Sequence, residues 1–151
     1  MSNLDPAQAA RQSRMSLLAK SDPSRLAALF SALADVPAHT WLRTPEVGAV
    51  MVRGRMGGTG APFNLGEMSV TRCALTLPTG EVGHAYVQGR NKDHATRAAL
   101  VDALMQTARA DEVQATVLAP LTAEATTAKS ARAAKAAATK VEFFTMVRGE
   151  D

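Results

Sequence analysis

The sequence predicts an α+β fold, in which a mostly antiparallel sheet of about four to five strands is packed with several helices. Three observations lead to this prediction. Two Asp-Pro pairs open helical patterns near the N-terminus, apolar and polar residues alternate through much of the segment from about 39 to 89, and helical spacing returns near 93. Strands joined by short loops pair antiparallel. The 151 residues fit one domain, 1–151.

The N-terminal segment, about 5–35, is predicted to contain two short helices. Asp5-Pro6 and Asp22-Pro23 each place an Asp cap before a proline at the first helical position, where the missing N–H costs nothing. The second helix extends to about Ala34 and has the stronger apolar stripe, formed by Leu26, Leu29, Phe30 and Leu33. The first has a weaker stripe through Met15, Leu18 and Ala19.

A strand meander of about 39–89 follows, with predicted strands at 39–44, 47–55, 67–77 and 81–88. A glycine-rich loop lies between the second and third strands, and Pro78-Thr79-Gly80 forms a compact turn before the fourth. One face of the fourth strand has only the small residues Gly83, Ala85 and Val87. This face leaves room for a helix to lie close.

The next predicted unit is a helical region of about 93–140. We expect Asp93 to cap its first helix, which has one apolar stripe formed by Leu100, Val101, Leu104, Met105 and Ala108. Residues 111–119 are predicted as a helical turn or a short strand that Pro120 ends. An alanine-rich helix spans 122–140, and a C-terminal strand of about 141–148 ends the chain.

Composition excludes several classes of protein. The net charge of +3 favours acidic partners only weakly. A single cysteine, Cys73, allows no internal disulfide and no cysteine-rich metal site, and we expect it to fill the core. No apolar run approaches the ~20 residues of a membrane span. The N-terminus lacks the apolar region of a secretory signal. We therefore expect a cytoplasmic protein without membrane contact.

Basic residues at the start of the first helix of the 93–140 region form a candidate anion site. Arg90 and Lys92 directly precede a helix N-terminus, whose free N–H groups and dipole favour negative charge. His94, in the first turn, is placed to meet the same anion or to act as an acid. The alternative is an ordinary strand-to-helix connection with solvated charges.

A second candidate is the glycine-rich loop that contains Arg55, Gly57, Gly58 and Gly60. Consecutive backbone N–H groups of such a loop can bind phosphate. It is neither a P-loop nor a dinucleotide fingerprint, because the required Lys and helix pattern are missing. The alternative is a hairpin loop that needs glycine conformations.

The chain shows no self-sufficient active site. Its three histidines lack zinc-site spacing, so we expect no metal, and no G-x-S-x-G nucleophile motif is present. The basic line Lys129, Arg132 and Lys135 lacks interleaved aromatic residues, which argues against nucleic acid. The densest large apolar group, which closes the core or docks a partner, comprises Phe143, Phe144 and Met146, followed by Arg148. A binding or assembly subunit is favoured over a small hydrolase using His94 or a nucleic-acid-binding domain.

Three separated blocks resemble the PhnG family of the bacterial carbon–phosphorus lyase system. They are Arg55–Gly60, the run from Val87 to Gln106, and Phe143–Gly149. The resemblance covers nearly the whole chain. Only the alanine-rich segment, 123–140, is similar in character alone.

The resemblance implies a role in using phosphonates as a phosphorus source. With PhnI, PhnH and PhnL, PhnG supports attachment of methylphosphonate to C1 of the ATP ribose, which releases adenine and gives α-D-ribose 1-methylphosphonate 5-triphosphate. PhnI is the primary partner and holds the central chemistry, and PhnJ later breaks the carbon–phosphorus bond. The chain is then expected to be a non-autonomous subunit of a hetero-oligomeric transferase. ATP is the substrate of the complex, and no cofactor binds to this chain alone.

Overall fold

A computed structural model describes residues 5–141 of the chain, and their fold is α+β, as predicted. In chain order the elements are α1 (Pro6–Lys20), α2 (Pro23–Phe30), β1 (Thr40–Arg55), β2 (Pro62–Thr76), β3 (Val82–Gln88), α3 (Lys92–Leu104), α4 (Ala110–Val113) and α5 (Ala119–Ala137). A 3₁₀ turn, Met56–Gly58, connects β1 to β2, and a π-helical turn, Gln114–Leu118, connects α4 to α5.

The sheet of the described residues is antiparallel and has three strands in the order β1-β2-β3. The prediction of four to five strands was too high, because the segments 39–44 and 47–55 form the single strand β1. Pro45 does not break it, since β1 is an edge strand and the register shifts on either side of Arg43 absorb the irregularity. The predicted strand at 141–148 lies, apart from Val141, outside the described residues.

Helix α3 lies at the centre of the core. It packs against β3 and β2 and also contacts α1 and α2, so nine of its residues are buried on several sides. The predicted single stripe was therefore wrong, and the helix ends at Leu104, before Ala108. The small face of β3 does allow close approach: a Cβ on Gly83 would lie 2.0 Å from the Ala99 carbonyl oxygen. The predicted alternation of buried and exposed side chains along β3 is confirmed, since Ala85 and Val87 are buried on the same face as Gly83.

The helix caps agree with the sequence in part. The Asp22 carboxylate accepts a hydrogen bond from the Arg25 N–H at 2.9 Å, whereas Asp5 makes no such bond. Asn91, not Asp93, caps α3, because its side-chain oxygen accepts from the His94 N–H at 2.9 Å. The helix therefore begins two residues earlier than the sequence suggested.

The segment after α3 is helical almost throughout. Residues 110–137 run from α4 through the π-helical turn into α5, so the prediction that Pro120 ends a segment was wrong. Pro120 lies in the first turn of α5, where a missing N–H is tolerated, directly after the π-helical turn has shifted the hydrogen-bonding register. Val113, Val117 and Leu118 are buried in the core, and Leu121 anchors the start of α5.

Candidate functional site

The most exposed part of the sheet is a β-hairpin that extends beyond β3. We call residues 50–68 the arm, since β3 pairs with β2 only from Val70 onward. No residue of the arm is buried. Its exposed large apolar side chains are Met51, Met56, Phe63 and Leu65, which are 42–70% exposed. A two-stranded hairpin is marginally stable in water, and an exposed apolar surface of this kind marks an interaction site.

The predicted glycine loop lies at the tip of the arm. Gly57 and Gly58 have φ values of 59° and 83°, which favour glycine. The N–H groups of Thr59 and Gly60 both donate to the Met56 carbonyl oxygen, and Arg55 Nη1 donates to the Gly60 carbonyl oxygen at 3.1 Å. Two of the loop's N–H groups are therefore used inside the turn. This geometry fits the hairpin-loop interpretation that the sequence left open.

The predicted basic residues at the start of α3 separate into two environments. Arg90 and Lys92 are exposed, but the His94 side chain is buried, with 1% of the residue exposed. His94 Nε2 lies 2.9 Å from the Leu18 carbonyl oxygen and 3.3 Å from Ser21 Oγ. The prediction that His94 meets an anion beside Arg90 and Lys92 was wrong, because the ring joins α3 to the end of α1.

Burial also sets the protonation of this ring. Desolvation lowers the pKa of His94, partly opposed by the hydrogen bond to the Leu18 carbonyl. The neutral tautomer with a proton on Nε2 fits that bond, and Nδ1 has no hydrogen-bond partner among the described residues. His94 is therefore a structural contact between helices rather than an acid facing solvent.

The two basic groups lie at the same end of the sheet but at different distances along the arm. The Gly89 N–H donates to the Ser69 carbonyl oxygen at 2.9 Å, which holds the Arg90–Lys92 turn at the base of the arm. From Ser69 to Pro62, next to the tip, is seven residues of β2, or ~23 Å. One small anion cannot contact both groups, whereas a protein surface lying along the arm can.

A partly buried ion pair that the sequence did not predict covers the free edge of β3 at Val82 and His84. Arg11 donates to both Asp102 carboxylate oxygens, at 3.0 and 2.7 Å, and the Asp102 side chain is 1% exposed. Asp102 also accepts from the His84 N–H at 3.0 Å, and Arg11 and Gln106 donate to the Val82 carbonyl oxygen. The available signal was one acidic residue inside the apolar run Leu100–Leu104. A charge there needs a partner when buried.

The remaining predicted residues form no catalytic group. Cys73 is 3% exposed, as predicted, and burial raises its pKa to about 11. Within residues 5–141, no three His, Cys, Asp or Glu side chains are close enough to hold a metal ion. Each helix in that range is too short or too polar to cross a membrane. The predicted docking residues Phe143, Phe144, Met146 and Arg148 lie outside the described residues.

These observations define a class of protein: an α+β protein with a projecting apolar hairpin and, within the described range, no assembled catalytic centre.

The chain belongs to the PhnG family, since the family model described as "Phosphonate metabolism protein PhnG" matches residues 9–149. A relative from Rhizobium meliloti (strain 1021) is 45% identical, over 97% of this chain and 94% of that protein. It is named "Alpha-D-ribose 1-methylphosphonate 5-triphosphate synthase subunit PhnG".

Proposed function

We propose that this chain is a subunit of an α-D-ribose 1-methylphosphonate 5-triphosphate synthase, as the name of its relative states for that protein. Its role is to assemble the complex rather than to supply a complete active site. ATP and methylphosphonate are the substrates of the complex, and adenine leaves. A PhnI-type subunit is the primary partner, and PhnH-, PhnJ- and PhnL-type subunits are further partners.

The observation that supports this role is the arm together with the open edge of β1. None of the residues 5–141 forms a hydrogen bond with the outer edge of this 16-residue strand. An unpaired edge strand is a template for pairing with another chain. Exposed apolar side chains on the same hairpin add surface that a partner would remove from water.

The chemistry of the reaction agrees with an assembly role. A phosphonate oxygen must attack the anomeric carbon through an oxocarbenium-like centre, which requires groups that hold the triphosphate and stabilise positive charge near C1. Among the residues 5–141, Arg90 and Lys92 are exposed cations on an open surface that they share with Asn91 and Asp93, and no histidine lines this surface. We assign the reacting centre to a partner. Arg90, Lys92 and the Gly57–Gly60 loop then face that partner along the arm.

The test is the mass by light scattering of this chain alone and co-expressed with PhnI-type and other Phn subunits. We expect a stable joint species with the intact chain. In a shortened variant, residues 53–65 are replaced by Asn-Gly, which joins Val52 to its sheet partner Gly66 through a two-residue turn. This variant keeps the body of the fold and should not assemble.

A matched pair of point variants separates the arm from the rest of β1. Leu65→Lys changes a side chain on the arm that is 66% exposed, and Leu42→Lys changes one at the base of β1 that is 59% exposed. Because both side chains are exposed, neither substitution should change the stability of the isolated chain. Only Leu65→Lys should weaken assembly, since only Leu65 lies on the arm. Normal assembly by the shortened variant would overturn the assigned role of the arm. If the unmodified chain stays a folded monomer and binds none of the Phn subunits, the proposed function is overturned.

A further inference from the structure

A second candidate interaction surface lies between α1, the start of α2, and α5. It is a groove of about 610 Å³. Its apolar floor is formed by Leu17 of α1 and by Leu121, Ala125 and Ala128 of α5. We call it the α1–α5 groove. It shares no residue with the arm.

The charged residues of the groove are mostly basic. Lys20, Arg25, Lys129 and Arg132 line it, against the two carboxylates of Asp22 and Glu124. Both carboxylates are already used: Asp22 caps α2, and Glu124 accepts from Arg25 at 2.7 Å.

The other three cations have no such partner. The side chains of Lys20, Lys129 and Arg132 donate no hydrogen bond to any of the residues 5–141 and form no ion pair there. Two residues of the basic line on α5, Lys129 and Arg132, therefore line a groove whose cationic side chains outnumber its carboxylates.

The groove has the length of a helix rather than of a small anion. The residues of α5 that line it, from Leu121 to Arg132, recur at three- and four-residue spacing and so share one face. Eleven residues of rise correspond to ~16 Å, or about three helical turns. Lys129 and Arg132 lie one turn apart at the end of this length, after the small side chains Ala125 and Ala128. Small floor residues allow a second helix to lie close.

Helix α5 itself is exposed in a way that a partner would explain. From residue 122 to residue 140 every residue is exposed, so beyond Leu121 the helix has little support from the core. Most of the stability of helices in proteins comes from the packing of one face against other elements, rather than from helix propensity. A helix packed into the α1–α5 groove would add support along its first three turns.

We propose that the α1–α5 groove docks an acidic amphipathic helix of a partner subunit. Small apolar residues of that helix contact Leu17, Leu121, Ala125 and Ala128, and its Asp or Glu residues pair with Lys20, Lys129 and Arg132. This is the helix-in-groove mode of recognition, with anchors at three- and four-residue spacing. The inference rests on the proposed function only in taking the partner to be a Phn subunit. A small polyanion fits less well, because a compact ligand at Lys129 and Arg132 would leave the apolar side chains of Leu17, Leu121 and Ala125 uncovered.

The first test measures affinity of the full chain for the purified PhnI-type subunit. Lys129→Glu and Arg132→Glu reverse charges that line the groove, whereas Lys135→Glu makes the same change on α5 one turn beyond it. We expect the Lys129→Glu/Arg132→Glu pair to weaken binding roughly tenfold, in proportion to two lost charge contacts. Lys135→Glu should leave it unchanged. Far-UV circular dichroism checks that all variants keep their helix content.

The second test locates the partner segment. Ala128→Cys introduces a thiol on the groove floor, and the native Cys73 is buried, so a maleimide crosslinker reacts at the introduced position. Crosslinking in the assembled complex should map to an acidic helical segment of the partner. Crosslinks to a basic or extended segment would overturn the proposal.

The third test uses inorganic triphosphate as the probe for a small anion. We expect titration of the isolated chain with triphosphate to show no saturable binding at the groove. Any weak binding should be the same in the Lys129→Glu/Arg132→Glu variant. Saturable triphosphate binding, lost in that variant while assembly is unchanged, would replace the proposal with a polyphosphate site. If the intact chain assembles and the double variant assembles equally well, the docking proposal is wrong but the proposed function stands. If the intact chain does not assemble at all, the proposed function itself is wrong.

Discussion

Along β3, the Val82 carbonyl oxygen accepts from Arg11 and Gln106, and the His84 N–H donates to the Asp102 carboxylate. Along β1, at the opposite edge, no group among residues 5–141 bonds to the outward-facing backbone. Helices α1 and α3 pack against the first edge strand, whereas no residue of the second, β1, is buried. One sheet thus has one edge closed by its own helices and one left for pairing.

The difference separates residues that stabilise the fold from residues available to a partner. The start of β1 has features that usually protect an edge, namely Pro45 and the ion pairs of Glu46 with Arg43 and Arg72. The arm, further along the same strand, has Arg53 and Arg55 but also exposes large apolar side chains. Substitutions at the closed edge should therefore change stability, and substitutions at the open edge should not.

The largest effect is expected from breaking the closed edge at Asp102. Asp102→Ala leaves the His84 N–H without an acceptor and leaves Arg11 only the Val82 carbonyl oxygen, and losing three hydrogen bonds to a buried carboxylate costs about 3 kcal/mol. Urea denaturation followed by circular dichroism measures this loss. Glu46→Ala is the control, since it removes an exposed partner of Arg43 and Arg72 on β1 and should leave the midpoint nearly unchanged. Equal midpoints for both variants would contradict the distinction.

A smaller effect is expected from a single methyl group on each edge strand. Gly83→Ala places a Cβ 2.0 Å from the Ala99 carbonyl oxygen, so α3 must move away from β3, at a cost of about 1–3 kcal/mol. Gly48→Ala on β1 meets no atom within 4 Å and should be neutral. Thermal unfolding of the two variants compares them directly. A stable Gly83→Ala protein would show that the contact between β3 and α3 is loose.

The smallest effect is a pH dependence from His94, which joins the helices beside the closed edge. Because burial lowers the pKa of His94 in the folded chain, the unfolded chain binds the proton more readily. The stabilising contribution is complete above pH 6.5, the unperturbed value, and is lost as pH falls below it. Glu46, Glu81 and Glu112, whose pKa values are lowered from 4.5 by hydrogen bonds, contribute only at lower pH.

Melting temperatures at pH 7.5 and 5.5 test this prediction. His94→Gln keeps an N–H donor for the Leu18 carbonyl but cannot titrate, so its melting temperature should change less between the two values. His84→Gln, on the exposed face of β3, is the control and should behave as the intact protein does. A slope that persists in His94→Gln would assign the pH dependence to another group.

Features set by local chemistry were predictable from the sequence. Asp22-Pro23 opens a helix, and the small face of β3 contacts α3, because a cap or an alternation depends on residues within a few positions of each other. The same local logic placed Cys73 in the core. The exposure of Arg90 and Lys92 also followed from the turn that contains them.

Features set by distant residues were not predictable. His94 looked solvent-facing until α1, 76 residues earlier in the chain, supplied the Leu18 carbonyl. Asp102 is tolerated in the core only because Arg11, 91 residues away, reaches it. Pro45 looked like a strand end because the sequence does not say which strand lies at an edge. In each case the deciding contact joins two segments whose relative positions in the fold cannot be read from the sequence.

The open edge of β1 has a consequence for how the chain is produced. Two free copies can pair through it, and the rate of such encounters rises with the square of their concentration. Synthesis in step with a partner would keep that concentration low, whereas an unmatched excess would be lost to aggregates or proteases. The abundance of the free chain, rather than its sequence alone, would then determine how much of it remains usable.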